Sequence, residues 1–349
     1  MMVRSNNIAG SNMLVVGGAG FVGSNLVKML LANNAGGVTV VDNLLSSERT
    51  NLPDDPRLTF WEGSIADERV LAAIKDIFDV VFHLATFHGN QNSIHDPLAD
   101  HDNNLITTLK LFNHIKAFKQ LKKIVYSGAG CAVAEKTYAA ADATSEDAHI
   151  SLQMDSPYSI SKIVGEFYAV YYYNRHKLPV VRARFQNVYG PGEILGAGQW
   201  RGTSATVWRN VIPTFIYKAL KRESLPVENG GRASRDFIFI KDICQGLIAC
   251  VDRGQPGDVY NLASGVETSI LCLAEFINTL TSNTTPITFI PRRDWDRSGK
   301  RFGSAVKAER ELNFKAKVGL EVGLGITIAW MRENMRVIEA AMARHIQHL

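Results

Sequence analysis

Met13-Leu14-Val15-Val16-Gly17-Gly18-Ala19-Gly20-Phe21-Val22-Gly23 is the stretch on which the reading of the chain turns. An aliphatic run enters a glycine-rich turn and leaves it through the amphipathic segment Gly20–Asn33, the setting that a phosphate-cradling loop requires. Gly17 and Gly20 permit a tight turn and close backbone approach to a diphosphate. Gly23 lets helix and strand pack closely, and the helix N-terminus, with Phe21 and Val22 in its first turn, supplies a favourable field. The next apolar run ends at Asp42, where a carboxylate accepts ribose hydroxyls and repels a 2′-phosphate; Asn43 and Leu44 follow it, and no arginine. The same residues would also serve a plain turn with Asp42 capping a helix. Position, order and spacing together favour a dinucleotide, and NAD over NADP.

Outward from this loop, short β-branched runs alternate with longer amphipathic segments as far as about residue 190. Candidate strands are Met13–Val16, Val38–Val41, Leu58–Trp61, Val80–Leu84, Lys123–Ser127 and Val180–Arg184, with helix candidates such as Gly20–Asn33 and Asn104–Lys116 between them. The alternation predicts an α/β fold of the Rossmann type, a doubly wound parallel sheet with helices on both faces. Past Pro191 come a Gly-, Trp- and Arg-containing stretch (192–210), a helix near Pro213–Lys221, and shorter pieces. The expected organisation is an NAD-binding domain over 12–190 and a smaller C-terminal α/β substrate lobe over 191–349, some of whose elements return to the large domain.

The 349 residues, 46% of them apolar, suffice for a large core. The 38 basic and 34 acidic residues are dispersed, with no basic run to track a phosphate backbone, which argues against a nucleic-acid partner. Cys131, Cys244, Cys250 and Cys272 show neither metal-ligand pairing nor disulfide-framework spacing, so no metal is expected and a reducing cytoplasm is the natural setting. No apolar run approaches the roughly 20 residues that span a bilayer. Met1–Ser11 is polar, lacks the apolar core of a signal peptide and predicts a short disordered lead.

Tyr158-Ser159-Ile160-Ser161-Lys162 lies at the start of an apolar-striped helix, where i, i+4 spacing puts phenol and ammonium on one face. A tyrosine ordinarily holds its proton until about pH 10, so work as a base near neutrality needs a positive charge beside it. Lys162 and a nicotinamide would supply that charge. Such a pair recurs by chance on exposed helices; downstream of a dinucleotide loop, and after a strand ending Val125-Tyr126-Ser127, it points to catalysis. Ser64-Ile65 near the adenine and Leu84-Ala85-Thr86 after the fourth strand complete the expected cofactor site.

With these blocks, and with Arg184-Phe185-Gln186-Asn187-Val188-Tyr189-Gly190-Pro191 and Arg235-Asp236-Phe237 followed by Lys241-Asp242, the chain resembles the extended short-chain dehydrogenase/reductase family over nearly all its length, specifically its nucleotide-sugar epimerases and dehydratases. The resemblance implies that Asn187 contacts the nucleotide diphosphate, that Arg301, with Arg297 close behind, clamps it, that Arg235 joins the substrate site, and that Asn104 orients an active-site loop. It also implies a homodimer through helices near Thr107–Lys116 and Tyr158–Tyr173.

Departures from the family pattern bear on the reaction. The segment after the fifth strand reads Ser127-Gly128-Ala129-Gly130-Cys131, so Ala129 stands where a serine or threonine is usual, and Ser127 is the hydroxyl that remains. Gly130 and Cys131 replace the Asp-Glu pair of 4,6-dehydratases, which disfavours dehydration. Cys131 falls where GDP-mannose 3,5-epimerases place a proton-exchanging cysteine, but a small buried apolar role is open to it as well. Trp200-Arg201-Gly202 is similar to their Trp-Lys-Gly, with an arginine that does not readily give up a proton. His88 is placed to reach the sugar or to be structural, and Trp200 and Arg201, with Trp208 and Arg209, to stack on a base, bind anionic groups or pack the lobe. The expected reaction is epimerisation through a transient 4-keto sugar: C4 inversion first, then 3,5-epimerisation through Cys131, with a 4-keto reductase, a dehydratase or a non-catalytic dinucleotide binder as alternatives.

Overall fold

The structure is a computed structural model describing residues 7–134, 137–297 and 299–349. Its strands are β1 (Asn12–Val16), β2 (Gly37–Asp42), β3 (Leu58–Glu62), β4 (Val80–His83), β5 (Lys123–Ala129), β6 (Val180–Phe185), β7 (Asn187–Tyr189), β8 (Pro226–Glu228), β9 (Ser234–Phe239), β10 (Val259–Leu262), β11 (Glu267–Ser269) and β12 (Thr288–Ile290). Seven of them form one sheet in the order β10-β6-β5-β4-β1-β2-β3, with every neighbouring pair parallel. The chain moves outward from β1 to β3, then returns to the other side of β1 as β4. This Rossmann-type winding opens a crevice beyond the C-terminal ends of β1 and β4, where ligands of such sheets bind.

The inner strands β1, β4 and β5 are buried on both faces because both faces are covered. Met13, Val15, Val40, Phe82 and Val125 pack against Leu26, Val27 and Leu30 of the Phe21–Ala32 helix and Ile243 and Leu247 of the Ile240–Arg253 helix. The alternate residues Leu14, Val16, Val81, Ile124 and Tyr126 meet Leu111, Phe112 and Ile115 of the Thr107–Ile115 helix and Ala169 and Tyr172 of the Pro157–His176 helix. Beyond the sheet edge, β9 pairs with β7 and β11, and β8 with β12.

Three features differ from the sequence reading. Ile8 is wholly buried and the Gly10 amide donates to the Asn34 carbonyl, so residues 7–11 are packed rather than a disordered lead, and Met1–Asn6 lies outside the described residues. The helix expected at Asn104–Lys116 starts earlier, at Pro97, and passes through one π-helical turn, Asp102–Ile106, before Thr107–Ile115. Finally, Val259–Leu262, absent from the candidate strands, forms β10 and joins the main sheet beside β6, with Tyr260 opposite Ala183, one of the C-terminal elements expected to return to the large domain.

The Pro157–His176 helix is fastened to the sheet by charge. Glu166 accepts from Arg184 Nε at 2.9 Å and from Arg184 Nη2 at 3.0 Å, while Arg182 Nη1 lies 3.4 Å away. Removing one partner of a buried pair leaves an uncompensated charge. Arg184→Met is expected to cost about 3 kcal/mol in urea denaturation, the low end for such pairs because Arg182 remains. A loss within the roughly 0.5 kcal/mol typical of surface changes would show that the pair does not anchor the helix.

Candidate active site

A cleft of about 710 Å³ runs along the C-terminal edge of the sheet from the glycine loop to β8. Gly17 has φ +82°, and a Cβ there would lie 2.5 Å from the Ala85 amide nitrogen; one at Gly23 would lie 2.2 Å from the Gly17 carbonyl oxygen. A Cβ at Gly20 would meet nothing closer than that same oxygen at 3.3 Å, so the loop presents bare backbone to the cleft at the start of the Phe21–Ala32 helix. That surface fits a dinucleotide diphosphate.

Asp42 ends β2 beside the loop. Its Oδ2 accepts from the Ala19 amide at 2.9 Å; its Oδ1 accepts from the Leu44 amide at 2.9 Å and the Ser47 hydroxyl at 2.8 Å. Burial pushes its carboxyl up, and these hydrogen bonds pull it back. Asp42 itself lines the cleft at this end. Phe21, Val22, Asn43, Ser64, Ile65, Leu84, Ala85 and Thr86 line the same end of the cleft.

Local sequence sets the position of Tyr158 and Lys162. Ser156 caps their helix by accepting from the Ser159 amide, Pro157 takes the first turn, and Lys177 ends the helix in the left-handed region. The Ser93 hydroxyl accepts from the Tyr158 amide at 3.1 Å, joining the first turn to the loop after β4. Lys162 is buried; its Nζ donates to the Ser127 carbonyl oxygen at 3.1 Å and reaches the Ser127 hydroxyl at 3.4 Å. It lies 6.0 Å from the centre of the Tyr158 ring. Burial lowers its pKa to about 8, with Asp100, Cys131 and Glu166 opposing the shift. Burial raises the Tyr158 phenol, as do Cys131, Tyr126 and Asp100, with Thr86 acting the other way.

Cys131 and Ala129 line the cleft beside this pair. His88 also lines it, 6.2 Å from the Tyr158 ring, and burial with Arg209, Arg201 and Lys162 nearby lowers its pKa to about 3, so the imidazole is neutral. Asn104 does not line the cleft. From the π turn, its Oδ1 accepts from the Phe87 amide at 2.6 Å and the Thr86 hydroxyl at 3.0 Å, while its Nδ2 donates to Asp100 at 2.7 Å. It thereby shapes the loop that carries His88.

Further along, Asn187, Arg235 and Arg301 line the cleft, with Arg301 beside Arg235. Arg235 Nη1 donates to the carbonyls of Ser234 and Gly299 at 2.7 and 2.8 Å, and burial beside Arg301 lowers its pKa to about 9. Arg301 Nε is buried without a partner. Three further sequence candidates lie elsewhere. Arg297 is exposed away from the cleft, Trp200 stacks on His348 at 4.7 Å, and Arg201 is buried behind the cleft wall with Nη1 on the Leu45 carbonyl at 3.2 Å. Arg293, Asp296, Glu193 and Arg209 do line the cleft. Within 292–301 the four arginines are indistinguishable by composition, and Glu193 follows a glycine-rich turn whose direction the sequence does not reveal. Among the described residues no cluster of metal-ligating side chains occurs, and no helix is long and apolar enough to cross a membrane.

The model of the NAD dependent epimerase/dehydratase family matches residues 13–263, and the chain belongs to this family. A putative UDP-glucose 4-epimerase of Methanocaldococcus jannaschii is 29% identical over 330 residues, covering 93% of this chain and 99% of that protein. Among solved structures, the Bordetella bronchiseptica enzyme WbmF in complex with NAD+ and UDP is 59% identical, covers 98% of both chains and superposes with a TM-score of 0.88. An epimerase from Methanothermobacter thermautotrophicus is 36% identical, covers 96% of this chain and 97% of its own, and superposes with a TM-score of 0.86. The cofactor is NAD.

Lys162 titrates near 8 in the folded chain against its ordinary 10.5. The unfolded chain therefore binds more protons between these values, and the lysine's contribution to stability rises with pH across that window. Lys162→Met is expected to be more stable than the wild type at neutral pH, an advantage that shrinks as pH climbs toward 10.5. Urea denaturation at several pH values checks this; a difference independent of pH would place the ammonium in solvent.

Proposed function

We propose that the chain is an epimerase of a nucleotide-linked hexose or hexuronate that inverts C4 through a transient 4-ketone. The observation that carries this reading is the Tyr158–Lys162 pair, held by Ser127 in the same cleft as the glycine loop and the Asn187–Arg235–Arg301 corner. The glycine loop and Asp42 would hold NAD+, which would supply hydride acceptance and return at the sugar carbon. Tyr158 removes the hydroxyl proton as the ketone forms and restores it afterward. Burial, with Cys131, Tyr126 and Asp100, favours the protonated phenol, and the ammonium of Lys162, 6.0 Å from the ring centre, is the positive charge that opposes it. Asn187, Arg235 and Arg301 hold the substrate diphosphate while the sugar turns, and the UDP bound by the Bordetella bronchiseptica relative supports a uridine nucleotide.

A second reading rests on Cys131, which lines the cleft beside Tyr158 and is placed to exchange a proton at the carbon next to the ketone. C4 inversion ranks first because Arg201, the counterpart of the opposing acid in 3,5-epimerases, does not line the cleft, and inversion by ring rotation needs no further acid or base.

Incubation with UDP-hexoses and UDP-hexuronates in D2O, read by NMR, tests both. An epimer without carbon-bound deuterium, lost on Tyr158→Phe by about 10²-fold or more and kept on Cys131→Ala, is expected. Deuterium at C3 or C5 would transfer the reaction to Cys131, and sustained absorbance of reduced cofactor would make the enzyme a net oxidoreductase.

The catalytic helix also supports a homodimer. Ile160, Phe167 and Tyr171 share one face of it and are 50%, 55% and 53% exposed, with Leu98 also exposed. Phe167→Glu is expected to convert a dimer into monomers in sedimentation. A monomeric wild type, or a variant that stays dimeric, would reject this face as the interface.

A further inference from the structure

Six cations line the cleft among the described residues: Lys162, Arg209, Lys218, Arg235, Arg293 and Arg301. Five are assigned by their surroundings. Lys162 sits on Ser127, Arg235 donates to the Ser234 carbonyl with the Arg301 charge beside it, Arg293 pairs with Glu228 of β8, and Lys218 pairs with Glu223. Arg209 alone belongs to the cofactor's half. Its Nη1 donates at 2.9 Å to the carbonyl of Ser46, in the loop that Asp42 holds through Ser47, and its Nη2 donates to the carbonyl of Ala197.

The segment 191–193, tied to the neighbour of Arg209 by the hydrogen bond from Asn210 to Glu193, lies on the N-terminal end of the Phe21–Ala32 helix. Asn25 Nδ2 donates to the Pro191 carbonyl at 3.1 Å, and a Cβ at Gly192 would come within 2.9 Å of that same nitrogen. Arg209 and Arg201 also act on His88, which stands next to Tyr158. The guanidinium of Arg209 is thus bracketed by the ribose loop, the diphosphate-binding helix turn and the catalytic end. In a dinucleotide, the diphosphate lies between those ends.

Arg209 and its neighbours are left short of partners. Arg209 Nε, Arg201 Nε and Nη2, and Glu193 Oε2 are buried with no hydrogen bond. Glu193 Oε1 accepts from Asn210, and burial raises its carboxyl to about 7, so it only partly offsets the two guanidiniums. Glu48, the other carboxylate nearby, is bound to Arg344. Excess positive charge away from water calls for an anion.

We propose that Arg209, backed by Arg201, is the counter-ion of the cofactor's diphosphate, reaching across from the segment after β7 to close the cofactor against the glycine loop. The loop supplies backbone N–H groups and a helix dipole but no side-chain cation, since Gly17–Gly23 contains none. Arg209 provides the missing charge from the opposite wall, and a cofactor gripped from both sides stays bound through each turnover.

The test uses enzyme stripped of cofactor and titrated calorimetrically with ADP-ribose and with adenosine. Arg209→Gln keeps an N–H donor for the Ser46 carbonyl without the charge, and Arg209→Lys keeps the charge without the fork. Arg209→Gln is expected to weaken ADP-ribose by at least about tenfold, to leave adenosine within about twofold, and to carry less NAD through purification. Arg209→Lys should fall between Arg209→Gln and the wild type. An equal loss for both ligands would show that Arg209 only props the Ser46 loop, and unchanged ADP-ribose binding would show that it does not meet the diphosphate; either result overturns the proposal. Thermal unfolding of the stripped proteins identifies a variant that fails to fold, and the lysine variant then decides on the same two titrations. None of these readouts depends on which sugar carbon is inverted.

Discussion

The helix Phe21–Ala32 approaches β1 so closely that a methyl group at Gly23 would lie 2.2 Å from the carbonyl oxygen of Gly17. Only hydrogen fits there, and the consequences spread outward. Because the helix is drawn in, its free N–H groups stand at the crevice between β1 and β4, where the sheet order reverses. Gly17 is pressed against Ala85 just past β4, which ties the glycine loop to the strand that leads to Thr86 and His88. Asp42 fixes the third side by accepting from Ala19 inside the loop. The glycine loop is therefore packed as part of the centre of the sheet.

Around that loop the structure buries charge. The Lys162 ammonium has only a carbonyl and a hydroxyl for hydrogen-bond partners, and the Arg201 guanidinium keeps two nitrogens without any. Each such group destabilises the folded chain, because taking an ion out of water is repaid only by strong and complete partners. Positions of this kind are where stability is exchanged for function. By contrast, Glu166 with Arg184 and Arg182 forms a well-paired set that holds the catalytic helix on β6. One cluster orients the site, and the other leaves charge available to ligands.

Much of the fold was legible because its signals are local. The six strands read from apolar runs coincide with β1–β6 to within two residues at each end, since the inner strands are covered on both faces and read as near-continuous apolar runs. The seventh strand, Val259–Leu262, went unread: four residues form a strand only because β6 offers an unpaired edge, and that edge lies some 75 residues back in the chain. The π turn at Asp102–Ile106 carries no local signal either, because it arises where Asn104 is drawn toward the loop after β4.

The sequence by itself determined the cofactor loop, Asp42, and the phenol–ammonium pair, since glycine, carboxylate and i, i+4 spacing act over a few residues and through backbone geometry that neighbours cannot easily override. Tertiary structure alone decided which arginines face the cleft. Arg301, Arg235, Arg293 and Arg209 do, whereas Arg297 points to solvent and Arg201 is sealed behind the wall. A long cationic side chain has no preferred direction of its own. Its place is set by which carbonyls and carboxylates the fold brings within reach, and for Arg209 these are the carbonyls of Ser46 and Ala197, brought together where Gly198 packs on the Leu45–Ser46 backbone.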